Sequence, residues 1–244
     1  ITSPGLTSHF QKLFTPKGTI LSVAGNIEWA ALKDQVARHF GDWKGEPAPT
    51  LALETALGGV AHIEKETTQT QIALAYASIP FGHPDYYAAQ GAVQVLSGGM
   101  AARLFTEVRE KRGLCYSVYA SYQTFKDRAA IVGYAGTTNE RAQETLDVTV
   151  GELRRLSEGV TVDEVQRVQA GLKSSVIMAE ESTSARAGAL ASDWYYLGRV
   201  RPIEEVQAAI NALSPAKIVD YVKTYPAEKL TLVTLGPKAL DSPV

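Results

Sequence analysis

The chain reads as an α+β protein, an antiparallel sheet with helices packed on one face, and three features of its sequence predict this. Its segments run strand, strand, helix, helix, strand, strand, several helices, strand. Residues 69–79 alternate in twos, with Ile72, Leu74 and Tyr76 on one side and Ala73, Ala75 and Ala77 on the other. The part of the chain from residue 137 onward carries two Thr-x-x-Glu capping boxes, Thr137 with Glu140 and Thr161 with Glu164, each opening an amphipathic run.

The elements follow in order. Residues 19–24 form an apolar stretch that predicts a buried strand, and Asn26 is placed to cap a helix over 27–43, where Trp29, Leu32, Val36 and Phe40 share one face. The Pro- and Gly-rich stretch 46–59 reads as a linker, so a domain boundary is expected there. Strands are predicted over 60–65 and 69–79, the small alanines of the second suggesting close packing of helices. Helices over 84–96 and from 101 to Gly113 follow, the first stopping at Ser97-Gly98-Gly99. Strands over 115–125 and 129–136 flank a polar turn at Lys126-Asp127-Arg128. After the capped helices come shorter ones over 203–212 and 215–224, then a strand over 229–235.

Composition limits the function classes. The 244 residues are 45% hydrophobic and 20% charged, a globular profile, and 24 basic against 26 acidic residues give no electrostatic reason to expect nucleic acid or an anionic membrane as partner. No apolar run is long enough to cross a bilayer, and Ile1-Thr2-Ser3-Pro4 does not begin a signal peptide. Without an initiator Met, an address upstream of Ile1 stays open. A single cysteine, Cys115, rules out an internal disulfide and fits a bacterial cytoplasm or periplasm.

An internal repeat appears at an offset of 211 residues. Ser3-Pro4 aligns with Ser214-Pro215, Phe10 with Tyr221, Phe14 with Tyr225, Leu21 with Leu232 and Gly25 with Gly236, without gaps. Both copies read as helix, aromatic pair, turn, apolar strand and glycine. If the second copy closes a domain of roughly 180 residues, the first closes an equivalent domain whose body lies upstream. The expected organisation is therefore 1–45 as the closing helix, strand and helix of an upstream repeat, 46–59 as linker, and 60–240 as a complete domain.

Few residues offer chemistry. Among His9, His39, His62 and His83 no pair is spaced to present two imidazoles on one helical turn, so no zinc is expected on this chain. There is no Gly-x-Ser-x-Gly elbow, and Ser97-Gly98-Gly99-Met100 lacks the lysine of a phosphate loop. What remains is the run 103–118, where a charged helix passes through Gly113 into a strand. Arg109 and Tyr116 are both donors that can hold a peptide carbonyl or an oxyanion. Spacing equally allows Arg109 in a surface ion pair with Tyr116 half buried.

This run, Gly98-Gly99, Arg103-Leu104-Phe105 and Arg109 to Val118, resembles the insulinase and pitrilysin family of zinc metallopeptidases, the inverzincins, which includes processing peptidases. Residues 16–26 and Phe40-Gly41-Asp42-Trp43 are similar to the end of that family's preceding domain. The resemblance implies repeated α+β domains whose two halves enclose a chamber for peptides or small unfolded proteins. It implies that zinc, bound by His-x-x-Glu-His, belongs to a missing upstream domain or partner, and that Arg109 and Tyr116 bind substrate and support the transition state. The chain departs from the family at Ala102, where Ser or Thr is frequent, and in lacking the zinc motif. It is therefore expected to be inactive alone, as the metal-free C-terminal part of an endopeptidase or as a silent peptide-binding scaffold paired with a zinc-bearing subunit. An unpaired strand at 19–24 further suggests a homodimer.

Overall fold

Alternation fixes the sheet. In the computed structural model, which describes residues 1–49 and 58–242, strand β2 (Gln69–Ser78) buries Thr70, Ile72, Leu74 and Tyr76 on one side. It forms antiparallel ladders with β4 (Ala129–Thr138) and β5 (Thr231–Gly236), and β4 pairs antiparallel with β3 (Cys115–Thr124). The strand β1 (Gly59–Glu64) completes the order β1-β5-β2-β4-β3. One pair departs from the predicted antiparallel pattern: β1 runs parallel to β5, which all the intervening strands and helices separate from it in sequence, so no hairpin dictates its direction.

Helices cover the inner face. The helix α3 (Tyr86–Ser97) is rich in small residues, and a side chain at Gly91 would meet Ile218 of α8 (Pro215–Thr224) at 3.0 Å. That close approach places α3 and α8 over Leu74, Ile72 and Leu232, joined in the core by Leu146, Val150 and Leu153 of α4 (Ala142–Arg155). The alanine face of β2 differs from expectation, since Ala73 and Ala77 are exposed rather than packed under helices. The capping box at Thr161 forms completely: Glu164 Oε2 accepts from the Thr161 amide at 2.8 Å and the Glu164 amide donates to Thr161 Oγ1 at 3.2 Å, opening α5 (Val162–Glu180). The box predicted at Thr137 does not form, because β4 extends through it and α4 begins later.

The chain divides into two compact units, Ile1–Thr55 with Met178–Val200, and Ala56–Ile177 with Arg201–Val244, the second holding the sheet. The helix α7 (Ile203–Asn211) belongs to this second unit. The first unit contains α1 (Ser3–Leu13), α2 (Trp29–Phe40) and α6 (Thr183–Leu197). Helix α2 is shorter than predicted and Asn26 is not its cap; Glu28 occupies that position without a side-chain cap bond. Among the described residues of this unit only Thr15 and Asp193 are buried, so it has no fully buried apolar side chain. Residues 19–24, predicted as a strand, pair with no other strand among the described residues.

Candidate functional site

The run 103–118 folds as two consecutive local irregularities. Residues Phe105–Glu110 form a π-helical turn, in which the Lys111 amide reaches back five residues to the Thr106 carbonyl at 2.9 Å. Such widened turns re-aim side chains and are concentrated at functional positions. Gly113 then reverses the chain with φ of 60°, a left-handed conformation that favours glycine. β3 starts with a bulge between Cys115 and Ser117, leaving Tyr116 as the extra residue. Counted back in twos from buried Ala120, position 116 belongs to the inner face; the bulge releases it outward while Cys115 stays buried.

These two devices bring together the two residues singled out from the sequence. The Arg109 guanidinium carbon lies 5.0 Å from the centre of the Tyr116 ring and 4.8 Å from that of Phe105, so the cation is held between two π faces. Tyr116 is 82% exposed rather than half buried, while Arg109 beside it is half-buried. The ion pair that spacing allowed for Arg109 is absent among the described residues, where the other cations of the run find carboxylates. Arg103 makes a bidentate contact with Glu164 at 2.6 and 3.0 Å, and Lys111 and Arg112 converge on Glu107 at 2.7 and 2.9 Å. Hydrogen bonds from Lys111 and then Arg112 hold the Glu107 carboxyl below the usual range. Stacking orients the Arg109 guanidinium while leaving its N–H groups free to donate to a ligand.

The turn beneath the pair is pinned from the next layer. Arg141 donates to the Gly113 carbonyl, and Thr137 Oγ1 donates to the Leu114 carbonyl at 2.6 Å while accepting from Thr145 Oγ1 at 3.1 Å. Spacing could not reveal this support, nor Phe105 as the second stacking face. Burial raises the Cys115 thiol, an effect Arg109 partly offsets, in keeping with an inert core residue.

The described residues do not fit a metal. No group of three His, Cys, Asp or Glu side chains among them could hold an ion. His62 bonds Thr234 at 2.9 Å and His83 contacts Asp85 and Tyr225, each a local structural role. None of the described helices is long and apolar enough to cross a membrane.

The chain as a whole is similar to known proteins. Residues 1–172 match the family described as the peptidase M16 inactive domain. The uncharacterized zinc protease YmxG of Bacillus subtilis is 28% identical over 237 residues, covering 95% of this chain and 57% of that protein. An uncharacterized zinc protease of Rickettsia felis is 25% identical, covering 98% of this chain and 58% of the relative. The chain therefore spans somewhat over half the length of these relatives. Among solved structures, a peptidase M16 inactive domain from Pseudomonas fluorescens superposes with a TM-score of 0.78 at 24% identity, over 90% of this chain and 53% of that one. A protease from Helicobacter pylori gives 0.86 at 21% identity, over 97% of this chain and 60% of that one, a likeness of fold. The match over most of its length shows that the chain belongs to the peptidase M16 family of zinc-protease-like proteins, in the part described as the inactive domain.

Proposed function

We propose that this chain is the substrate-holding, metal-free C-terminal part of a zinc-dependent endopeptidase that cleaves peptides or small unfolded proteins between two halves. The observation that carries the reading is the Arg109 guanidinium, stacked between Phe105 and Tyr116 without a carboxylate partner, on a turn fixed by Arg141 and Thr137. In this reading Arg109 and the Tyr116 hydroxyl donate to the carbonyl of a bound peptide and hold it as negative charge develops on its oxygen. The metal belongs to an upstream domain or a separate subunit, consistent with relatives named zinc proteases that extend well beyond the matched region. Residues 60–240 then form one complete domain of the family.

Mixing the chain with its zinc-bearing counterpart and following cleavage of an unstructured peptide tests this. Turnover that neither component gives alone, and that Tyr116→Phe lowers at least about tenfold, is the expected result. Peptide binding without turnover would instead support a silent scaffold, and turnover indifferent to Tyr116→Phe would remove the assigned role.

A further inference from the structure

The strand that begins with the bulge at Tyr116 carries a second exposed tyrosine. β3 closes one side of the sheet and pairs only with β4, so its outer backbone edge has no partner strand among the described residues. Edge strands are commonly blunted by charge, proline or shortness. The ten residues of β3 include no charged side chain and no proline, and only the bulge at Tyr116 interrupts the edge. The opposite edge strand, β1, carries His62 and Glu64 within six residues.

Tyr119 is the exposed aromatic group of that uncharged edge. Past the bulge the side chains alternate, with Ala120 buried and Tyr119 on the open side of the sheet at 46% exposure. Its cross-strand partner is Tyr134, the ring centres 5.4 Å apart and the planes tilted by 34°. Tyr134 is fixed in turn, because its hydroxyl donates to Gln71 Oε1 of β2 and passes over Gly136, where a Cβ would come within 2.9 Å of that hydroxyl oxygen. One flank of Tyr119 therefore rests on a tethered ring, and the other faces the edge beyond which no described strand lies.

We propose that Tyr119 is a specificity-determining residue, receiving an aromatic or long aliphatic side chain of an extended peptide that runs along the β3 edge. The inference rests on the reading that Arg109 and Tyr116 hold a carbonyl of that peptide. Continuity identifies the occupant, since both donors stand where β3 begins. A chain leaving them along β3 presents a side chain on the same side about every 7 Å, so a residue within three of the held one comes opposite Tyr119. A strand added at that edge brings this side chain to about 5 Å from the Tyr119 Cβ, close enough to pack on the ring. Main-chain hydrogen bonds along the uncharged edge serve any sequence, and the ring supplies the selection.

The test is a cleavage profile of the endopeptidase assembled from this chain and its zinc-bearing counterpart. A single Phe is walked through the three positions on each side of the scissile bond in a peptide otherwise of Ala, Gly and Ser. At one position Phe should raise kcat/KM about five- to tenfold over Ala, and Tyr119→Ser should bring that ratio to within about twofold while Tyr119→Phe keeps it. Tyr119→Arg should turn the preference at the same position from Phe to Glu. If the assembly binds these peptides without cutting them, Kd from fluorescence anisotropy should show the same ratios. A tyrosine pair that only stabilises the sheet would affect every peptide alike, so profiles of unchanged shape in Tyr119→Ser and Tyr119→Arg overturn the proposal. Arg109→Ala reads the underlying role separately: it should lower turnover of all the peptides alike, and turnover indifferent to it removes that role whatever the Tyr119 profiles show.

Discussion

Replacing Glu164 with Gln removes one charge from a site where several contacts converge. The carboxylate accepts Arg103 through both oxygens and caps α5 through the Thr161 amide, with the Arg103 and Glu164 side chains 12% and 14% exposed. Burial works to raise its pKa, but the Arg103 hydrogen bond and the Thr161 amide outweigh it and hold the carboxyl at about 2 against an ordinary 4.5. A folded-state pKa below the unfolded one contributes stability fully present above pH 4.5 and lost as pH falls towards 2. That gap corresponds to at most about 3 kcal/mol, and solvent screening at the partly open pair brings the working figure to about 1–2 kcal/mol. Urea unfolding at closely spaced pH values measures it. Glu164→Gln should lower stability by that amount at pH 7, with the two curves converging as pH drops to 2. Parallel curves across the whole range would refute the argument, because the lost stability would then have no protonic origin.

Two glycines give further tests. Gly133→Ala should destabilise by about 1–3 kcal/mol in chemical denaturation, since the added methyl would lie 2.8 Å from Leu74 Cδ1 in the packed core. Gly113→Ala places a side chain at φ of 60° and should cost about 1 kcal/mol, with fluorescence reporting a changed environment for Tyr116. Thr137→Val keeps the volume but strands the Leu114 carbonyl, at a cost of about 1–3 kcal/mol in thermal melts.

The legible parts of the sequence were those whose cause is local. β2 announces itself because one face must be apolar, and the Thr161 box because both of its bonds lie within four residues. The Thr137 box carries the same spacing and fails, since the β4 ladder claims Thr137 as a partner of Cys115 and its hydroxyl turns to the Leu114 carbonyl. Tertiary pairing also decides the direction of β1, about which no local turn gives information. Arg109 and Tyr116 stood out by residue type and spacing. Their meeting depends on a π turn and a bulge, which insert residues without leaving a periodic trace. Phe105 belongs to the run that carries the family resemblance, but only the widened turn makes it the second face of the stack.

The most direct test of the central claim is the kcat/KM of the assembled endopeptidase carrying Arg109→Ala. A donor that acts on developing oxyanion charge predicts a fall of about 10²- to 10³-fold with association between the parts unchanged. Turnover within about twofold of the unaltered protein would contradict it, and would leave the stacked guanidinium as a structural feature of the turn.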